Sequence, residues 1–192
     1  VRLGLVSDTN ESADSDSSYP KRPSQRLGLV SDTHDNLALS RVAARFFREE
    51  RPGRVLHLGD ITGGDVVGIF AGLPMTFLRG NNDDNRVVAP ALARHGFPKL
   101  QDEWTAELAG VLIAAHHGHV APRMAALAGE CDLLLHGHTH RRRAERVGRT
   151  LVVNPGALHR ALTKSVALVE LPSLDVRFFE VTREGVAPLR AP

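Results

Sequence analysis

The side chains of this sequence best suited to chemistry are imidazoles and carboxylates placed just beyond short apolar runs. The stretch Leu135-His136-Gly137-His138-Thr139-His140 closes one such run with a glycine and two histidines one residue apart. The same form recurs in Ser31-Asp32-Thr33-His34, Gly59-Asp60, Gly80-Asn81-Asn82-Asp83 and His117-Gly118. In chain order these stretches supply seven oxygen or imidazole donors: Asp32, His34, Asp60, Asn81, His117, His138 and His140. Such donors suit Mn²⁺, Fe or Zn²⁺ and not a site that needs thiolate. A carboxylate can bridge two cations, so seven groups with one bridging residue give two metals four protein ligands each. Ligands at the ends of neighbouring strands converge, whereas residues at strand middles are kept apart by the pleat. The spacing therefore predicts a two-metal site.

Composition narrows the alternatives. A chain of 192 residues with 42% apolar content has room for one domain with a sizeable core. The single cysteine, Cys131, rules out an internal disulfide and a thiolate-rich cluster, and its place in an apolar run reads as a core thiol. The formal charge of +2 is too small to imply nucleic acid by itself. Arg141-Arg142-Arg143 directly follows the histidine turn, where it could meet a phosphate or form a solvated basic face. No apolar stretch is long enough to span a bilayer, and the amino-terminal residues lack the apolar region of a signal peptide. The expected compartment is the cytoplasm, with no membrane partner.

The donors need elements to position them. Residues 2–9, RLGLVSDT, recur unchanged as residues 26–33, which marks a duplication. The segment between them is rich in Ser, Asp, Glu, Pro and Lys and reads as a disordered linker. Only the second copy continues into Asp-x-His and then into a helical pattern, capped by Asn36 and carried by Leu39, Val42, Ala43, Phe46 and Phe47. Residues 1–25 are thus expected to be a dispensable duplicated segment plus linker, with the folded domain spanning 26–192. Deleting residues 1–25 is expected to leave metal-saturated turnover unchanged.

Beyond the first helix, residues 54–58 and 75–78 read as strands, with a short helix over 66–71 between them. This strand and helix alternation belongs to a layered α/β sheet. The second half reads as a hairpin over 104–108 and 111–115, a short helix over 122–127, and strands over 132–135 and 151–153. Strands over 165–171 and 176–181 are expected to form a closing sheet. Two packed sheets with helices outside are the expected architecture.

The ordered series Asp32-Thr33-His34, Gly59-Asp60, Gly80-Asn81-Asn82-Asp83, His117-Gly118 and Gly137-His138-Thr139-His140 resembles the calcineurin-like metallophosphoesterases. The length and the trailing Asn154-Pro155-Gly156 are similar to their small bacterial and archaeal phosphodiesterase branch. The resemblance implies an α/β fold, a four-layer α/β/β/α sandwich of two mixed β-sheets flanked by helices. It also implies a dinuclear centre, most simply of Mn²⁺, with Fe, Zn²⁺ or Ni²⁺ as alternatives. One metal would take Asp32, His34, Asp60 and His140, and the other Asp60, Asn81, His117 and His138. The implied reaction is hydrolysis of a small phosphodiester by a metal-bridging hydroxide.

Asn82 departs from the family pattern, since many members carry a histidine there that is held by the following Asp; an amide cannot be a general acid. Asn82 then reads as a loop residue or a phosphate hydrogen-bond donor. His119 and His159 are the remaining candidates for substrate contact. His57, His116 and His136 precede the ligand positions on strands, where alternation turns them away from the site, and His95 reads as surface. The rivals are a phosphomonoesterase or protein phosphatase, a nuclease, and a non-catalytic protein-binding scaffold of the same fold. The competent side chain at every ligand position argues against the scaffold. Nucleic acid is not an expected partner; a homo-oligomer is left open.

Overall fold

The computed structural model describes residues 25–192, so the expectations for the repeated segment and its linker lie outside the described residues. Six strands form one mixed sheet in the order β11-β10-β9-β1-β2-β3. They are β1 (Gln25–Val30), β2 (Arg54–His57), β3 (Met75–Phe77), β9 (Ser165–Leu171), β10 (Val176–Val181) and β11 (Val186–Leu189). The other five build a second mixed sheet in the order β4-β5-β6-β8-β7. They are β4 (Glu103–Leu108), β5 (Val111–His116), β6 (Leu133–Leu135), β7 (Arg143–Val147) and β8 (Thr150–Asn154). Helices α1 (Leu37–Glu50), α2 (Gly64–Ile69), α3 (Asn85–Arg94) and α4 (Ala121–Glu130) complete the described elements.

Strand alternation explains the layers. On β1, Leu27 and Leu29 point into the apolar cluster between the sheets, while Val30 joins the cluster on the opposite face. That opposite cluster receives Leu39, Ala43, Phe46 and Phe47 of α1, together with residues of α2 and α3. On the far side, Ala114, Leu134 and Val152 of the second sheet pack against Leu127 of α4. The result is the expected four-layer sandwich, with one core between the sheets and one beneath each helical layer. Asn36 caps α1 as expected, its side chain accepting from the amide of Leu39 at 3.2 Å.

Several expectations are corrected. The strands β9 and β10 do not form a separate closing sheet: β9 runs antiparallel to β1 and extends the first sheet. Local pattern shows that a segment is a strand but not which edge it joins. α3 is an element that the apolar spacing does not announce, because Pro90 and the polar start at Asp84, Asn85 and Arg86 mask the helical recurrence of Val88, Ala91 and Leu92. The edge strand β7 is largely exposed and charged, and β11 carries Pro188, so neither shows the apolar alternation of a half-buried strand. α4 extends beyond the expected 122–127 to ten residues.

Candidate metal centre

β1, β2 and β3 are mutually parallel, as are β5, β6 and β8, and the candidate residues follow the carboxyl ends of these strands. Loops there face one another across the gap between the sheets, the place where open α/β sheets bind ligands. The backbone beyond β1 and β2 continues to pair: the amide of Asp32 donates to Gly59 O and that of His34 to Asp60 O, both at 3.0 Å. Asp32, His34, Asp60, His138 and His140 all have positive φ, between 41° and 66°. Such backbone costs about 1–3 kcal/mol per residue outside glycine and persists only where the surroundings impose it. Five strained positions among seven candidate donors place the strain at the site itself.

The donors converge on the two aspartates. Asp32, His34, Asp60 and His140 each offer one ligand atom, and these atoms lie within 4.8 Å of one another. His140 Nε2 is 3.1 Å from Asp32 Oδ1, and His34 Nε2 is 3.3 Å from Asp60 Oδ2. On the other side of Asp60, His117 Nε2 lies 3.5 Å from its Oδ1 and 3.2 Å from Asn81 Oδ1. The His138 ring is 5.2 Å from that of His117. Four of the seven candidate donors thus lie close enough to share one ion, while Asn81 and His117 stand on the other side of Asp60 with the His138 ring beside His117.

The electrostatics follow from burial and from what faces each carboxylate. Burial raises the Asp32 carboxyl above the ordinary carboxylate value, although Ser31 hydrogen-bonds Oδ2 at 2.5 Å and His117 and His140 pull in the opposite direction. Burial acts the same way on Asp60, but hydrogen bonds from His117 and from the backbone and side chain of Asn82 hold its carboxyl well below the usual range. His117 is desolvated too, yet its contact with Asp60 and the charge of Asp32 leave it raised. Its Nδ1 donates to Leu58 O at 2.7 Å, which turns Nε2 toward the site. Asp32 Oδ1 and His34 Nε2 are buried and make no hydrogen bond among the described residues. A buried polar atom left so costs about 1–3 kcal/mol, and a cation on those lone pairs removes the cost. The donor set and its two orphan atoms fit a metal centre.

The remaining candidates fall into place around this cluster. Asn82 does not point into open loop space: its amide N–H donates to Asp60 Oδ1 at 2.9 Å and its Nδ2 to Oδ2 at 2.7 Å. His119 is exposed, stacked on His116 with centroids 5.3 Å apart and 6.2 Å from His138. His159 sits 4.9 Å from His34 at the opposite rim. His57 turns to the helical face, where it stacks on Phe77, and burial lowers its pKa to about 3. His136 is buried beside Asn154, and His116 accepts from the amide of Gly118 at 2.9 Å.

Supporting residues are less visible in the sequence. Asp83 accepts from four backbone amides, those of Asp60, Ile61, Thr62 and Gly80, at 2.7–2.9 Å, and so ties the loop after β2 to the loop after β3. Its carboxylate after Gly80-Asn81 is the only sequence signal. Asp83→Ala strands these amides, and we expect a loss of about 3 kcal/mol in urea unfolding of the metal-free protein. Asn154 Nδ2 donates to Gly137 O at 2.7 Å and to Thr139 Oγ1 at 3.1 Å, fixing the histidine turn. Two glycines permit the close approach: a Cβ at Gly80 would overlap the Asp60 carboxylate and amide, and one at Gly137 would overlap Ser31 Oγ.

Comparison with known proteins agrees with this fold. A phosphodiesterase of Methanocaldococcus jannaschii is 32% identical over 137 residues, covering 68% of this chain and 82% of that protein. The structure of an archaeal phosphodiesterase superposes with a TM-score of 0.71 at 28% identity, covering 82% of this chain and all of that one. Vacuolar protein sorting 29 of Cryptosporidium parvum shares the fold, with a TM-score of 0.66 at 17% identity over 86% of this chain and 96% of that one. The calcineurin-like phosphoesterase superfamily domain matches residues 26–173, which include every candidate donor and all but the last strands of the sandwich. By fold, by sequence and by the residues gathered at its strand ends, the chain belongs to the calcineurin-like phosphoesterase superfamily.

Proposed function

We propose that the protein is a dinuclear-metal-dependent phosphodiesterase acting on small phosphoesters. The observation that carries this reading is the orphan pair Asp32 Oδ1 and His34 Nε2, buried within a cluster of ligand atoms no more than 4.8 Å apart. Asp32, His34, Asp60 and His140 would hold one divalent cation, and Asp60, Asn81, His117 and His138 the second. Cations so held neutralise phosphoryl charge and lower the pKa of water toward neutrality. Mn²⁺ is the first choice for this oxygen and imidazole set, with Fe, Zn²⁺ or Ni²⁺ able to replace it.

The chain's own groups do the positioning. Asn82 fixes Asp60 through both carboxylate oxygens, and Leu58 O fixes the orientation of the His117 ring. His119, and Asn82 beside its bonds to Asp60, would be the further donors to a bound phosphoester. Hydrolysis adds water across one P–O bond; phosphorus gains the new oxygen, and the departing alkoxide takes up a proton to leave as an alcohol. From a diester the products are a phosphomonoester and that alcohol. The archaeal relatives named for phosphodiesterase activity support the diester over the monoester.

Elemental analysis of Mn²⁺-reconstituted protein should show about two ions per chain, and chelation should remove turnover of bis(p-nitrophenyl) phosphate. A phosphopeptide or phosphomonoester turned over well above every diester would replace this reading with a phosphatase. Full metal content with no turnover of any phosphoester would favour the scaffold.

A further inference from the structure

The mouth of the metal centre opens on one side into a groove of about 660 Å³, whose wall joins His138 and His140 to Arg141 and Arg160. That volume suits a nucleotide-sized ligand. Thr139 and Thr163 add hydroxyls to the wall, and no acidic side chain lines it among the described residues. The basic run after the histidine turn divides by contact. Arg142 donates to Arg190 O at 2.8 Å and lies over the Phe178 ring, while Arg143 pairs with Glu145 at 3.0 Å. Lys164, next in the chain to Thr163 of the wall, donates its ammonium to Ala161 O at 2.7 Å. The guanidinium groups of Arg141 and Arg160 are exposed and have no ion-pair or hydrogen-bond partner among the described residues. Two free guanidinium groups on one groove without acidic side chains repel each other modestly and attract an anion with the fork geometry that suits phosphate. Beside them Leu162 is fully exposed and offers an apolar face.

We propose that Arg141 and Arg160 form a second anion subsite that seats a further phosphate of the substrate while the scissile diester lies at the metal centre. The preferred substrates are then small phosphodiesters bearing a second phosphate, of nucleotide type, with Leu162 beneath the base or another apolar moiety. This inference rests on the phosphodiesterase reading and names the substrate class for that site.

The test compares two dinucleotides that differ in one group: dithymidine phosphate with and without a 5′-phosphate, each measured with Mn²⁺-loaded enzyme. The 5′-phosphorylated form should be preferred by about tenfold in kcat/KM, mainly through KM, as charge-assisted hydrogen bonds of this kind allow. Arg141→Gln and Arg160→Gln should each shrink the ratio, and the double variant should bring it close to one. Arg45→Gln, on the exposed side of α1, should leave the ratio as it is. The preference should also fall as salt rises. Equal kcat/KM for the two dinucleotides, or a preference that survives the double variant, overturns the subsite. The same ratio read as calorimetric affinity covers the case of no turnover: a retained, arginine-dependent preference keeps the subsite while the diesterase reading fails. A longer oligothymidylate outcompeting the 5′-phosphorylated dinucleotide by more than the arginine effect overturns the small-substrate assignment in favour of a nucleic-acid strand.

Discussion

Asp60→Asn should lower diester turnover at saturating metal by at least about a hundredfold while leaving the metal-free fold in place. Asp60 follows the carboxyl end of β2, almost fully buried, with His34 on one oxygen and His117 on the other. Among the candidate donors it is the one that contacts both His34 and His117. An amide of the same size fills the same space but gives up the second anionic oxygen, and its N–H₂ is set against the donors of Asn82. Bound metal should fall from about two ions per chain toward one, read by elemental analysis beside kcat. His138→Ala is a second variant that leaves the core intact, because that side chain is exposed at the turn after β6. Substantial activity with full metal content in either variant would refute the ligand assignment. Circular dichroism of the metal-free proteins should match wild type, since the core between the sheets is untouched.

The seven candidate donors stand out in the sequence for a physical reason. Ligands at strand ends announce themselves twice, by an apolar run and by the polar group and small residue that stop it. Asp32, Asp60, His117 and His138 all follow strands that are readable from their apolar cores. Two packed sheets with helices outside follow from the same periodicities, whereas the four-layer sandwich is implied by the family resemblance. Pairing between distant segments is not legible: β9 lies against β1 across more than a hundred residues, and nothing local to residues 165–171 says so. Supporting contacts are equally hidden, because a side chain that binds the backbone of another loop leaves little local pattern. Asp83 gathers amides from residues 60–62, and Asn154 reaches back to Gly137. Asn82 can be read from its type as unable to donate a proton, but its two hydrogen bonds to Asp60 exist only in three dimensions.

Those two bonds set the expected outcome of Asn82→His. In wild type the side chain at this position holds Asp60 and cannot supply a proton to a departing alkoxide. Diesters with weakly basic leaving groups do not need that proton, so bis(p-nitrophenyl) phosphate should be turned over far faster than dialkyl esters. A plot of log kcat/KM against leaving-group pKa should therefore be steep. In Asn82→His the backbone N–H still donates to Asp60 Oδ1, so the carboxylate keeps one of its two anchors from this residue. The imidazole adds an acid beside the cluster, and general-acid help is worth on the order of 10²–10⁴-fold on a basic leaving group. The variant should gain on alkyl leaving groups, lose little on p-nitrophenolate, and give a shallower slope. Loss of the Nδ2 bond works against the gain and should show as weaker metal binding, which titration of Mn²⁺ separates from the slope. Identical slopes would assign the proton to another group. His119→Ala and His159→Ala then locate it: the exposed His119 stacks on His116 beside His138, His159 lies against His34, and whichever variant steepens the slope identifies the donor.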